Sequence, residues 1–268
     1  MNNNKIHIKA KKSLGQNFLK SKKALFTMVE AGGIVAGDIV LEIGPGQGAL
    51  TEKILETGAQ VIAVEKDDRM IPILEEKFSE YIKNKQLELV HDDILDLNLS
   101  LLQLKTNSYK LVANIPYYIT GLIFRKFLEG DIQPSRLVMM VQKEIADRIL
   151  AHDGKESLLS LSVKAYGTAK KIMKVEKEHF SPKPKVDSAI LLVDNISKDF
   201  FKEINEKSFF GIIKAGFAHK RKVLIANLKE NHNNGDLIGV FKKSGISEKA
   251  RSEDLRLEDW KKLIKNLG

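Results

Sequence analysis

Runs of β-branched and aliphatic residues alternate with stretches of helical periodicity from residue 21 to residue 193. Strands are expected at Asp38–Glu42, Gln60–Glu65, Leu87–Val90, Tyr109–Ala113 and Arg136–Val141, and again at Lys171–Val175 and Ala189–Val193. Between most of them the apolar positions recur with a 3.6-residue period, near 21–31, 48–57, 67–80, 120–129, 143–150 and 157–166. Alternation of this kind builds βαβ units on a mostly parallel sheet. The last two strands are joined by the Pro-containing stretch 177–186 with no helical pattern, which suits an antiparallel hairpin at the sheet edge.

After Val193 the strand signals stop. Phe200, Phe201, Ile204, Phe209, Ile212 and Ile213 begin a helical pattern, and further helices are expected near 221–230, 235–243 and 257–266. The expected organisation is an α/β domain over 1–197, led by a basic segment over 1–23, and a small all-helical domain over 198–268.

Composition narrows the chemistry. Hydrophobic residues make up 43% of the chain, enough for a sizeable core. There is no cysteine, which excludes disulfides, thiolate zinc sites and cysteine nucleophiles. The six histidines show no metal-ligand spacing, so no metal is expected. No apolar run approaches the roughly 18 residues of a membrane helix. The first residues, MNNNKIHIKAKKSLGQ, lack the apolar stretch of a secretory signal. A cytoplasmic, monomeric protein is the expectation.

The net charge of +9 is segregated. Residues 1–23 carry +7, residues 24–197 carry −4 and residues 198–268 carry +6. Two basic ends around an acidic middle suggest contact with a polyanion. Lys11, Lys12, Lys220, Arg221 and Lys222 are the candidate contacts, the last three on an expected helix. The plainer alternative is a solvated lysine-rich surface.

Chemistry concentrates at strand ends. The first strand runs into Gly44-Pro45-Gly46-Gln47-Gly48, where glycines let the backbone approach a ligand. The spacing is not that of the dinucleotide fingerprint, and an acid before the loop, Glu42, would repel a pyrophosphate. Glu42 suits a ligand with positive charge, such as an ammonium group. Glu65 ends the next strand 17 residues after Gly48, close to the roughly 20-residue spacing at which a carboxylate grips ribose hydroxyls. Asp93 follows the third strand. Together these acids describe a pocket for S-adenosylmethionine.

The fourth strand ends in Asn114-Ile115-Pro116-Tyr117. An exocyclic adenine amine is a poor nucleophile because its lone pair is delocalised into the ring. The Asn114 oxygen and the Ile115 carbonyl can accept its two N–H groups and aim the nitrogen at a methyl. Tyr117 offers a face on which an extruded base can stack. Trp260 and the Gln142-Lys143-Glu144 turn are read instead as helical core and helix cap.

The segment Leu14-Gly15-Gln16-Asn17-Phe18-Leu19, the loop EIGPGQGALT, the tetrapeptide NIPY and the stretch from Phe180 to Ala189 resemble the ribosomal RNA adenine dimethyltransferases. Within them the resemblance is to the small-subunit enzymes linked to kasugamycin sensitivity. It implies a Rossmann-like class I methyltransferase sheet with a small C-terminal helical domain. It also implies dimethylation of two adjacent adenosines near the 3′ end of 16S ribosomal RNA in an assembling small subunit. Carried over by position, Asn17 and Leu19 would close over the cofactor's methionine end, Gly44 would lie against it and Glu65 would hold its ribose. Asp93 rather than Asp92 would face its adenine, because the family's acid directly precedes an apolar residue and Leu. Asn114 and Tyr117 would hold the target base, with Phe180 on its other face. The stretch Ala218-His219-Lys220-Arg221-Lys222 departs from the consecutive arginines more usual in the family. The alternatives are a large-subunit methyltransferase of the macrolide-resistance type, or a non-catalytic assembly or transcription factor on the same fold.

Overall fold

The structure is a computed structural model that describes residues 10–11, 14–231 and 236–267; Lys12 lies outside them. The chain divides into two compact units, Met1–Lys143 with Lys171–Leu192, and Glu144–Lys170 with Val193–Gly268.

The first unit is built on a seven-stranded sheet. Its strands are β2 (Ile39–Ile43), β3 (Gln60–Glu65), β4 (Leu87–His91), β5 (Lys110–Ala113), β6 (Arg136–Gln142), β7 (Thr168–Val175) and β9 (Ser188–Asp194), in the order β4-β3-β2-β5-β6-β9-β7. The pairs β4–β3, β3–β2, β2–β5 and β5–β6 are parallel. Strands covered on both faces can be continuously apolar, and β2 and β5 are buried along almost their whole length. β9 and β7 are neighbours at one edge with no α-helix between them, as a hairpin requires.

Helices α1 (Lys22–Gly32), α2 (Ala49–Leu55), α3 (Ile71–Lys77), α4 (Ser79–Lys83) and α5 (Thr120–Phe124) complete this unit. In α1, Ala24, Leu25, Met28, Val29 and Gly32 form one buried stripe. The helix starts where the Ser21 hydroxyl accepts from the Ala24 amide and stops at Gly33 in the left-handed region.

From β2 the chain steps one way through β3 to β4, and from β5 the other way to β6. The reversal lies between β2 and β5, where an open parallel sheet leaves a crevice beyond its strand ends. A second, two-stranded sheet was not expected: β1 (Phe18–Leu19) pairs antiparallel with β8 (Phe180–Ser181), Leu19 opposite Phe180.

The second unit contains most of α6 (Lys143–Leu150), with α7 (Leu158–Lys164), α8 (Glu206–Gly216), α9 (Leu224–Asn231), α10 (Leu237–Ser244) and α11 (Leu257–Leu267). The cut expected near residue 197 falls inside this unit, because 144–170 pack with the later helices. Tyr166 stacks on Phe210 with ring centres 6.2 Å apart and donates to Glu206 at 2.5 Å. The Glu156 amide donates to the Glu253 carbonyl at 2.8 Å. Trp260 is fully buried in α11 and stacks on Phe217. Among the described residues no helix is long and apolar enough to cross a membrane.

Candidate active site

A cavity of about 530 Å³ opens at the reversal point of the sheet, lined entirely by the first unit. Its floor is the glycine loop. Gly44, Gly46 and Gly48 have φ of 68°, 55° and 73°, a region that L side chains rarely adopt. At Gly48 a Cβ would also overlap the Phe78 ring, so the turn admits no larger residue.

Glu65, 6% exposed, closes the loop from below. One carboxylate oxygen accepts from the Gly46 amide at 2.9 Å and the other from the Asp67 amide at 2.8 Å. Burial pushes its carboxyl up, those amides oppose the shift, and the Asp67 charge adds to it. Both oxygens keep lone pairs for a ligand's hydroxyls.

Glu42 is 1% exposed and lies in the apolar interior of β2, yet it lines the cavity. Its Oε2 has no hydrogen-bond partner among the described residues. Desolvation pushes its carboxyl up to about 8; the nearby Thr51 and Lys77 pull down and Glu65 pushes up. An orphaned buried carboxyl oxygen is rare, and this one belongs to a residue of the cavity lining, where a positively charged ligand group would compensate it.

Asp93, beyond β4, accepts from the Leu95 amide at 2.9 Å and from Lys66. Burial raises its carboxyl, but the Lys66 and Leu95 hydrogen bonds with the Lys66 and Lys126 charges outweigh it and hold it below its usual value. Asp92 beside it is exposed.

The wall opposite comes from the β1–β8 pair, which brings Asn17 and Leu19 to the cavity together with Phe180. Gln16 ties this wall down. It donates to Asp67 at 2.7 Å and accepts from the Lys11 amide at 2.8 Å. Asp67 is itself buried, and the Arg69 guanidinium, bonded at 2.8 and 2.6 Å, holds its carboxyl well below the usual range. Sequence reasoning missed this bolt, since nothing in either local sequence points to a partner 51 positions away.

At the end of β5, Asn114, Ile115, Pro116 and Tyr117 reach the same cavity. Neither the Asn114 side chain nor the Ile115 carbonyl has a hydrogen-bond partner among the described residues. Tyr117 is anchored through its hydroxyl to Ser188 at 2.5 Å, and burial raises its phenol while Ser188 partly offsets it. Phe180 lines the cavity but is only 4% exposed, so it stands within the wall.

The ten residues expected to bind cofactor or target base, Glu42 and Ile115 among them, therefore converge on one cavity. The basic candidates lie elsewhere. Lys11 is exposed in the N-terminal segment. Lys220, Arg221 and Lys222 occupy a turn between α8 and α9, which corrects the expected helix. The turn is fixed by Asn227, whose amide donates to the Gly216 carbonyl at 2.5 Å and the His219 carbonyl at 3.2 Å. Lys222 and His219 pair with Glu230, while Lys220 and Arg221 form no ion pair among the described residues.

A glycine loop at the reversal point, acids at or near the ends of β2, β3 and β4, and a seven-stranded mixed sheet define a class I methyltransferase. The chain belongs to the ribosomal RNA adenine dimethylase family, whose pattern matches residues 7–268. It is 40% identical to the ribosomal RNA small subunit methyltransferase A of Dehalococcoides mccartyi over 258 residues, 96% of this chain and 88% of that protein. It is 38% identical to the protein of the same name from Clostridium botulinum, over 97% and 94% of the two chains. Among solved structures, a dimethyladenosine transferase from Plasmodium falciparum superposes with a TM-score of 0.79 at 29% identity, over 92% of this chain and 95% of that one. The 23S rRNA methyltransferase ErmE gives 0.74 at 25%, over 93% and 99%.

Proposed function

We propose that this protein transfers methyl groups from S-adenosylmethionine to the exocyclic amines of two adjacent adenosines near the 3′ end of 16S ribosomal RNA, in an assembling small subunit. The observation that carries the chemistry is the pair of unpartnered acceptors, Asn114 Oδ1 and the Ile115 carbonyl, beside a cavity walled by three strand-end acids.

The cavity's residues fit the cofactor. The orphaned Glu42 oxygen suits its ammonium group, Glu65 its ribose hydroxyls and Asp93 its adenine amine, with Gly44, Asn17 and Leu19 packed around it. When bound, it supplies an electrophilic methyl group on a sulfonium. Asn114 and Ile115 accept the two N–H groups of the target amine, which turns its lone pair out of conjugation with the ring. Tyr117, held by Ser188, supports the base. No general base is required, because the amine proton becomes acidic as the nitrogen gains positive charge.

A large-subunit reading has the ErmE likeness behind it. The higher identity to proteins named for the small subunit, over nearly the whole chain, supports the 16S reading. Lys11, Lys12, Lys220, Arg221 and Lys222 would contact RNA phosphates. Transfer of labelled methyl from cofactor to unmodified 30S particles tests the proposal. Primer extension should then stop at two adjacent adenosines near the 3′ end of 16S RNA, and stops confined to 23S RNA would refute the small-subunit reading.

A further inference from the structure

Tyr118, directly after Tyr117, lines the cavity at its rim and is 67% exposed. Single exposed apolar side chains are ordinary on protein surfaces. Three observations set this one apart. Its hydroxyl makes no hydrogen bond among the described residues, so nothing in the fold uses it. The ring runs close along Gly15, where a Cβ would come within 3.3 Å of Cε1, so one side is already braced by the N-terminal wall. Its surroundings have the character of a nucleic-acid rim. Leu122 follows four residues on at 50% exposed, and Lys20 and Lys66 are exposed on the same cavity, Lys66 paired there with Asp93.

An adenine inserted as far as Asn114 leaves its ribose and flanking phosphates at the rim, with its neighbours in the RNA strand one nucleotide away. An exposed, braced aromatic ring on the same cavity suits a second base, because every base has a π-face.

We propose that Tyr118 is a stacking platform for a nucleobase adjacent to the target adenosine in single-stranded RNA, with Lys20 on the same cavity for a phosphate. The inference rests on the proposed function and specifies how its site takes more than one nucleotide.

The test is methyl transfer to unmodified 30S particles by the full-length wild type, Tyr118→Ala and Tyr118→Trp, with cofactor affinity measured by calorimetry. A base–aromatic stack contributes about 1–3 kcal/mol, so Tyr118→Ala should raise KM for particles roughly 5- to 150-fold. Cofactor affinity should stay unchanged, and Tyr118→Trp should keep KM near wild type. An unchanged KM in the alanine variant overturns the platform. A parallel loss of cofactor affinity also overturns it, making Tyr118 a wall of the cofactor pocket. If wild type transfers no methyl group, the proposed function fails, and the platform is judged by binding alone. An RNA fragment with 2-aminopurine beside the target adenosine should then be quenched by wild type and much less by Tyr118→Ala; equal or absent quenching rejects the platform.

Discussion

In the first unit three acids at or beside the cavity are buried or half-buried and held by fixed partners: Glu65 by two backbone amides, Asp67 by Arg69 and Gln16, Asp93 by Lys66 and Leu95. In the second unit Lys220, Arg221 and Lys222 stand exposed in the turn, and Lys222 shares its exposed partner, Glu230, with His219. Buried groups act over short distances with defined geometry, so each can be assigned one ligand atom. Exposed cations act through a screened field, where number matters more than position. The contrast predicts large, residue-specific losses for changes at the cavity and small, additive ones for changes at the turn.

Asn114→Ala should give the largest effect. Removing one preorganised group from a site of developing charge typically costs about 10²–10³ in turnover. Single-turnover rates on 30S particles should fall by that order while cofactor affinity changes much less. A rate within a few-fold of wild type would reject the alignment role.

Glu42 should give the next largest effect, read as pH dependence. Its carboxyl ionises near 4.5 in the unfolded chain and near 8 when folded, so between those values the folded protein holds the extra proton. Wild-type stability should therefore fall as pH rises from about 4.5 to about 8, by up to a few kcal/mol, and level off above. Urea denaturation of Glu42→Gln should lack this component of the slope. A positively charged ligand group at Oε2 should lower the carboxyl's pKa and release a proton on binding, which calorimetry in buffers of different ionisation enthalpy would detect.

Glu65→Gln should weaken cofactor binding about tenfold, or about 1.4 kcal/mol, since charged hydrogen bonds become neutral ones. The amide must also turn a donor towards Gly46 or Asp67, whose N–H groups already occupy both oxygens. Unchanged affinity by calorimetry would remove Glu65 from the ligand site.

The smallest effects belong to the turn. Lys222 is shared with Glu230, so Lys220→Gln with Arg221→Gln should account for most of the change. The log–log salt dependence of particle binding should flatten by roughly 0.7–0.9 for each phosphate no longer neutralised. Adding Lys222→Gln should change it little further. An unaltered slope would reduce the turn to a solvated surface.

Much of this was legible in the sequence because parallel strands carry continuous apolar runs. β3 was expected at its observed limits, and the rule that ligands bind beyond strand ends led to Gly44, Glu65, Asp93 and Asn114. What stayed hidden was short or distant. β1 and β8 have two residues each, too few for any period to register. The Gln16–Asp67 bolt and the Lys66 cap on Asp93 join positions with no local signal between them. The turn at 219–222 reads as helix because its lysines and arginine are good helix formers; the reversal there is set by Asn227, a side chain in the following helix.

The β1–β8 pairing also sets a schedule. Residue 18 leaves the ribosome long before residue 181, and at ordinary elongation rates the interval is roughly ten to thirty seconds. For most of that time the glycine loop and Glu65 have been synthesised, yet the wall that faces them lacks its second strand. A nascent chain interrupted before Phe180 would carry every acid of the pocket and still be unable to enclose a ligand. Enclosure is thus tied to near-complete translation of the α/β unit.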